Sequence, residues 1–200
     1  MNLSPEQIDA LKELINIGVG RAAGVLSSMI RCRISLQVPF IKILSLEGLQ
    51  DEVTLIGHDR LSAVKLGFRG SFAGTAALVF PPDSAAKLVS LLVSEEPHIP
   101  DLDSVRVGTL NEVGNIVING VMGSVANVLK QHIDYSLPAY TEESLEHMLK
   151  ADIVEDNIMV LLARTHFTVE QCMIEGDIIL IFESKSFGAL VAAIDRDLRD

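Results

Sequence analysis

Cysteine is nearly missing from this chain, and the two that occur, Cys32 and Cys172, lie far apart with no third thiol beside either. That excludes a disulfide framework and a thiolate zinc site, and it fits reduced thiols packed as small apolar groups. Positive charge is also in deficit, with 16 Lys and Arg against 27 Asp and Glu and a formal net charge of -11. Such a chain repels phosphate backbones and anionic lipid, so neither nucleic acid nor a membrane surface is expected as its partner; a protein is. Long apolar runs are absent too, each being broken by Gly, Pro or charge, which argues against a membrane span. No basic segment followed by an apolar run opens the chain, so no signal peptide is expected and a cytoplasmic location is. His58, His98, His132, His147 and His166 are scattered without metal-ligand spacing and read as ordinary surface or strand residues.

What is present is a motif that occurs twice. Glu13-Leu14-Ile15-Asn16 is followed by Pro39, and Glu112-Val113-Gly114-Asn115 by Pro138. Every member of the second copy stands ninety-nine positions after its counterpart. Glu and Asn at i, i+3 lie side by side on a helix, so each copy presents a carboxylate and a carboxamide together. Two equivalent sites are implied.

Both copies sit on helical patterns. Ser4-Pro5-Glu6-Gln7 reads as an N-cap, a proline at the first helical position and a glutamine that closes a capping box. Ile8, Leu11, Ile15, Val19, Ala22, Leu26 and Met29 then recur at spacings of three and four, an apolar stripe reaching about residue 30. At about 100° per residue, Asp9, Glu13 and Asn16 fall within roughly 60° of one another on a different, solvent-facing side. Leu110, Val113, Val117, Val121, Val125 and Val128 repeat the stripe in the second copy. The segments 32–38 and 133–137 alternate apolar with polar as half-buried strands do, with Pro39 and Pro138 expected to end them. The strand-then-helix pattern from Gly74 to Val89 is echoed from Gly176 to Val191.

Residues 1–200, 48% apolar, are therefore expected to form a single α+β domain of two pseudo-symmetric halves, 1–95 and 102–200. The simplest burial scheme is one antiparallel sheet, shared by the halves and covered by two long helices. Gly18, Gly20 and Gly24 in the first long helix and Gly114, Gly120 and Gly123 in the second each cost about 1 kcal/mol relative to Ala, so something compensates. Gly24 and Gly123 are equivalent by the repeat, and they are expected to mark a close approach of the two helices. Gly18-Val19-Gly20 is not read as a dinucleotide fingerprint, because no strand precedes it and the helical pattern continues.

The chemistry open to these sites is limited. Neither contains a Ser, Cys or His nucleophile with a base beside it, nor converging paired carboxylates. A carboxamide can orient a water by accepting one hydrogen bond and donating another, and it adds no charge that would repel a phosphoryl group. Glu13 and Glu112, which would repel phosphate unaided, are expected to pair with a Lys or Arg carried by the partner.

At these residues the chain resembles the CheC, CheX and FliY family of chemotaxis phosphatases, whose pattern is Asp or Ser, three residues, Glu, two residues, Asn, then twenty-two residues and Pro. Asp9, Glu13, Asn16 and Pro39 match throughout; Glu112, Asn115 and Pro138 match in the second copy, where Gly108 stands in the Asp or Ser position. The resemblance covers nearly the whole chain and is to the CheC type. It implies hydrolysis of the aspartyl phosphate of a CheY-type response-regulator receiver. Asn16 or Asn115 would place the attacking water, and Glu13 or Glu112 would hold the receiver's lysine. It implies no cofactor bound by this chain, since the receiver brings its own Mg²⁺. The deamidase CheD is implied as a further partner, with the segment Thr141–Leu149, read as a short helix beside the second site, as its surface. Two alternatives stay open: a non-catalytic docking module of the FliM flagellar switch type, which shares the fold, and a binding module whose main task is to regulate CheD, with phosphatase activity residual.

Overall fold

The computed structural model describes residues 3–30, 33–44, 48, 60–93, 102–144, 147, 158–169 and 172–198. Helix α1 (Pro5–Ile30) leads into β1 (Ile34–Leu44), β2 (Leu61–Gly70), β3 (Gly74–Phe80) and α2 (Pro82–Leu92). The second half repeats the order, with α3 (Leu102–Val128), β4 (Ile133–Tyr135), β5 (Ala139–Glu143), β6 (Ile158–Val169), β7 (Cys172–Glu183) and α4 (Ser184–Asp197). The link expected at 94–101 lies outside the described residues, as does Cys32.

All strand pairings are antiparallel, in the order β1-β6-β7-β3-β2-β4, with β5 continuing beside β2. The two halves meet at the centre, where β3 of the first pairs β7 of the second with Leu78 opposite Ile178. They also trade edges. β1 pairs with β6 of the second half, and β4 and β5 pair with β2 of the first. Each half thus caps the other's sheet, the order reads alike from both ends, and neither half has its full set of neighbours alone.

Local chemistry explains the two long helices. Ser4 and Gln7 form the expected capping box, the Ser4 N–H donating to Gln7 Oε1 at 2.8 Å and the Gln7 N–H to Ser4 Oγ at 3.3 Å. In α1 the stripe Leu11, Ile15, Val19, Ala22 and Leu26 is buried, each large member contributing about 1.5–3 kcal/mol. Its two ends depart from expectation, Ile8 being 38% and Met29 55% exposed. α3 buries Leu110, Val113, Val117, Val121 and Val125 and ends on a backbone cap: Lys130 at φ 53, with Gln131 N–H to Ala126 O at 2.8 Å and Lys130 N–H to Asn127 O at 3.2 Å. The opposite face of the sheet carries a second buried cluster of Leu61, Ala63, Ala77, Val79, Val160, Leu162, Ile179 and Ile181. The central strands are therefore apolar on both faces, not one.

Three expectations are corrected. The helices do meet closely, but at Gly18 and Gly120: a Cβ on Gly18 would lie 2.4 Å from Val121 Cα, and one on Gly120 2.9 Å from Gly18 O. Gly24 and Gly123 face open space, turned about 120° from Gly18 and about 60° from Gly120 on their helices at 100° per residue. Pro39 does not end β1, which runs on to Leu44 with a register shift between Gln37 and Phe40; an edge strand tolerates a residue that cannot donate. Pro138 sits at the matching break between β4 and β5, where Ser136 exchanges hydrogen bonds with Gly67, N–H to O and N–H to Oγ, both at 2.9 Å. Finally, Thr141–Glu143 is not helical but the strand β5, held extended by its pairing with β2; of the rest of Thr141–Leu149, His147 is helical, Ser144 is irregular, and positions 145–146 and 148–149 lie outside the described residues.

Candidate functional site

The first motif lies on the outward side of α1. Asp9 and Glu13 are exposed and Asn16 is half-buried, while Leu14 and Ile15 between them point into the core. Among the described residues nothing engages the side chains of Glu13 or Asn16. The beginning of this helix is tied down by Gln7, whose Nε2 donates to Asp195 Oδ1 of α4 at 2.7 Å.

The second motif has the same placement on α3, with Glu112 exposed and Asn115 half-buried. Its surroundings differ. Arg106 fixes the beginning of α3 by an ion pair to Glu142 of β5 at 3.1 Å and a hydrogen bond to Ser62 Oγ of β2 at 3.3 Å. Gly114 presses the helix onto the sheet, since a Cβ there would stand 2.4 Å from Val64 Cγ1. One turn after Asn115, Asn119 Nδ2 donates to Asn115 Oδ1 at 2.7 Å. Where the first site carries Asp9, the second has Gly108, beside a groove of about 360 Å³ lined by Leu26, Met29, Leu92, Gly108, Thr109, Glu112 and Val113. The two helices are joined between the sites, Arg21 Nη1 donating to the buried Ser124 Oγ at 3.2 Å.

Each expected Glu–Asn pair is thus on one helix face, next to solvent and over a rigid base. The prolines are not part of either pair; they shape the two edges of the sheet. No group of three or more His, Cys, Asp or Glu converges as a metal site among the described residues, and none of the described helices is long and apolar enough to cross a membrane. His132 and His147 are exposed partners of Asp134 at 3.3 Å and Glu143 at 2.6 Å, and His166 lies on β6. His58 and His98 lie outside the described residues.

No protein-family model matches the chain. It is 26% identical over 157 residues to the CheY-P phosphatase CheC of Bacillus subtilis, spanning 76% of this chain and 74% of that protein. Among solved structures, Thermotoga maritima FliY superposes with a TM-score of 0.78 at 17% identity, covering 98% of this chain and all of that one. The FliM middle domain of H. pylori gives 0.66 at 13% identity, with 96% and 99% coverage. CheX of Borrelia burgdorferi, solved in complex with CheY, BeF3 and Mg²⁺, gives 0.54 at 20% identity, with 86% and 99% coverage. These similarities are consistent with the CheC, CheX and FliY family. The FliM match shows that the architecture is shared more widely than the CheC name.

Beyond that CheC-like framework, the sequence reading missed Asn119, Arg106 and the groove. Asn119 had a signal, being four residues after Asn115. The groove had none, because α1, α2 and α3 each supply part of it.

Proposed function

We propose that this chain removes the phosphoryl group from the aspartyl phosphate of a CheY-type receiver, at two sites. The observation that carries this reading is the outward presentation of two Glu–Asn pairs, at matching places on two helices whose buried faces hold them rigid. The name of the Bacillus CheC relative and the CheX complex with CheY support it.

The receiver would supply the phosphoryl group, its own Mg²⁺ and a lysine. Glu13 or Glu112, exposed and without a partner among the described residues, would pair with that lysine and fix the docked orientation. Asn16 or Asn115 would then sit above the phosphorus and hold the attacking water by its carboxamide, accepting one of the water's hydrogens while adding no charge against the departing oxygens. A neutral group suits a transition state governed by position and electrostatics. The Glu-to-lysine pairing would also supply charge complementarity, which chiefly selects partner and register.

A second reading, a docking module without catalysis, is favoured by the FliM superposition. Mixing the purified protein with a phosphorylated receiver and following phosphoryl loss separates the two. Hydrolysis well above the receiver's own rate is expected; a complex that forms without faster hydrolysis would sink the catalytic reading and leave the docking one.

A further inference from the structure

We infer that Asn119 is a positioning residue for Asn115, an inference that rests on the phosphatase reading above. An amide that orients water must present one end consistently, yet a carboxamide at a half-exposed helix position samples several rotamers and can exchange its oxygen and nitrogen by a half-turn. Asn119 removes that freedom. Its Nδ2 donates to Asn115 Oδ1 at 2.7 Å, so the Asn115 oxygen is held toward the C-terminal end of α3. Among the described residues nothing else bonds this amide, which leaves one lone pair of Oδ1 and both N–H groups for water.

The rest of Asn119 is arranged against its own stability. Its Oδ1 is buried without a hydrogen-bond partner among the described residues, a state native proteins avoid and a reason to look for a role. Turning the Asn119 amide over by itself would set its oxygen against that of Asn115 and lose the bond. In the first site the repeat puts Gly20 in this place, with open space where a side chain would be. Asn16 therefore has no such support. The second site is pre-oriented and the first is not.

The test uses the full chain in an Asn16→Ala background, where only the second site works. Asn119→Asp keeps the shape but cannot donate at neutral pH, and Asn119→Ala removes the group. Both are expected to lower kcat by roughly threefold to tenfold, the loss from freeing one ordered side chain, with KM and the thermal midpoint nearly unchanged. Asn119→Gln, which keeps a donor, should recover part of the loss. In the converse experiment, Gly20→Asn in an Asn115→Ala background should raise kcat at the first site. The side-chain amide resonances of Asn115, read by ¹⁵N NMR without any receiver, should shift in Asn119→Asp. An unshifted Asn115 amide, or a kcat equal to the background in both the Asp and Ala variants, overturns the positioning role. Absence of phosphoryl loss above the receiver's own rate in the unmodified chain instead overturns the phosphatase reading, so the two failures are distinct.

Discussion

In α1 the pair Glu13 and Asn16 has Asp9 one turn ahead and Gly20 one turn behind; in α3 the pair Glu112 and Asn115 has Gly108 ahead and Asn119 behind. The polar neighbour has changed sides. Ahead of the pair, an exposed carboxylate can add a contact to a docked protein, so under the proposed function Asp9 would bear on binding. Behind it, Asn119 bonds the amide itself and bears on orientation. The anchoring differs in the same sense: Gln7 ties α1 to α4, whereas Arg106 ties α3 to the sheet edge through Glu142 and Ser62. Under the proposed function, a duplicated motif would thus keep its Glu–Asn pair and divide its supports, one copy favouring capture and the other readiness.

The largest effect should come from removing both amides at once. Asn16→Ala with Asn115→Ala should lower phosphoryl hydrolysis on the order of 10²-fold or more, about 2.7 kcal/mol of barrier, while receiver binding survives. Neither substitution opens a core cavity, since both residues are only half-buried. Stopped assays of a phosphorylated receiver at several protein concentrations measure it. Near-normal turnover in the double mutant would remove both copies from the chemistry together.

Next comes the crossing that the two sites share. Gly18→Val would drive a side chain into the backbone at Val121 and Gly120 and should destabilise the fold by about 3 kcal/mol, disturbing both sites through one contact. Gly24→Ala faces open space and should stabilise by about 0.5–1 kcal/mol. Urea unfolding of the two variants distinguishes them; equal effects would mean that the crossing lies elsewhere.

That pair of glycines also shows where sequence legibility stops. The capping box at Ser4, the buried stripe of α1 and the Glu–Asn spacing are all local, set by residues three or four apart, and they were readable. Which glycine faces the other helix depends on how α1 is rotated against α3, which no local spacing records. The exchange of edge strands is likewise a long-range choice: β1 alternates equally well whichever strand it pairs. Pro39 was read as a stop because its missing N–H forbids a central strand, and only the edge position of β1 lifts that rule. Asn119 carries no motif of its own, and only its bond to the Asn115 amide gives it meaning.

Of intermediate size is the reversal of the anchoring charges. Glu13→Lys with Glu112→Lys would place a cation opposite the receiver's lysine, and complex formation should weaken about tenfold at low ionic strength, recovering as salt screens the repulsion. Glu13→Gln should be milder. Titration by fluorescence anisotropy at two salt concentrations reads both. Affinity that ignores the double charge reversal would mean that docking does not run through these carboxylates.

The smallest expected effect is the difference between the single mutants, and it depends on receiver concentration. With Asp9 in place, the first site should capture receiver better; with Asn119 holding Asn115, the second should turn over faster once occupied. Below saturation, rate follows kcat/KM and capture dominates, so Asn16→Ala should cost more than Asn115→Ala, by roughly twofold to threefold for one exposed polar contact. At saturation capture no longer counts, and the gap should close or reverse. Gly108→Asp, which has open space for its side chain, should then improve KM at the second site when Asn16 is already Ala. A larger loss in Asn115→Ala at low receiver concentration would show that the Asp9 position is dispensable, and that orientation of the amide outweighs capture in both regimes.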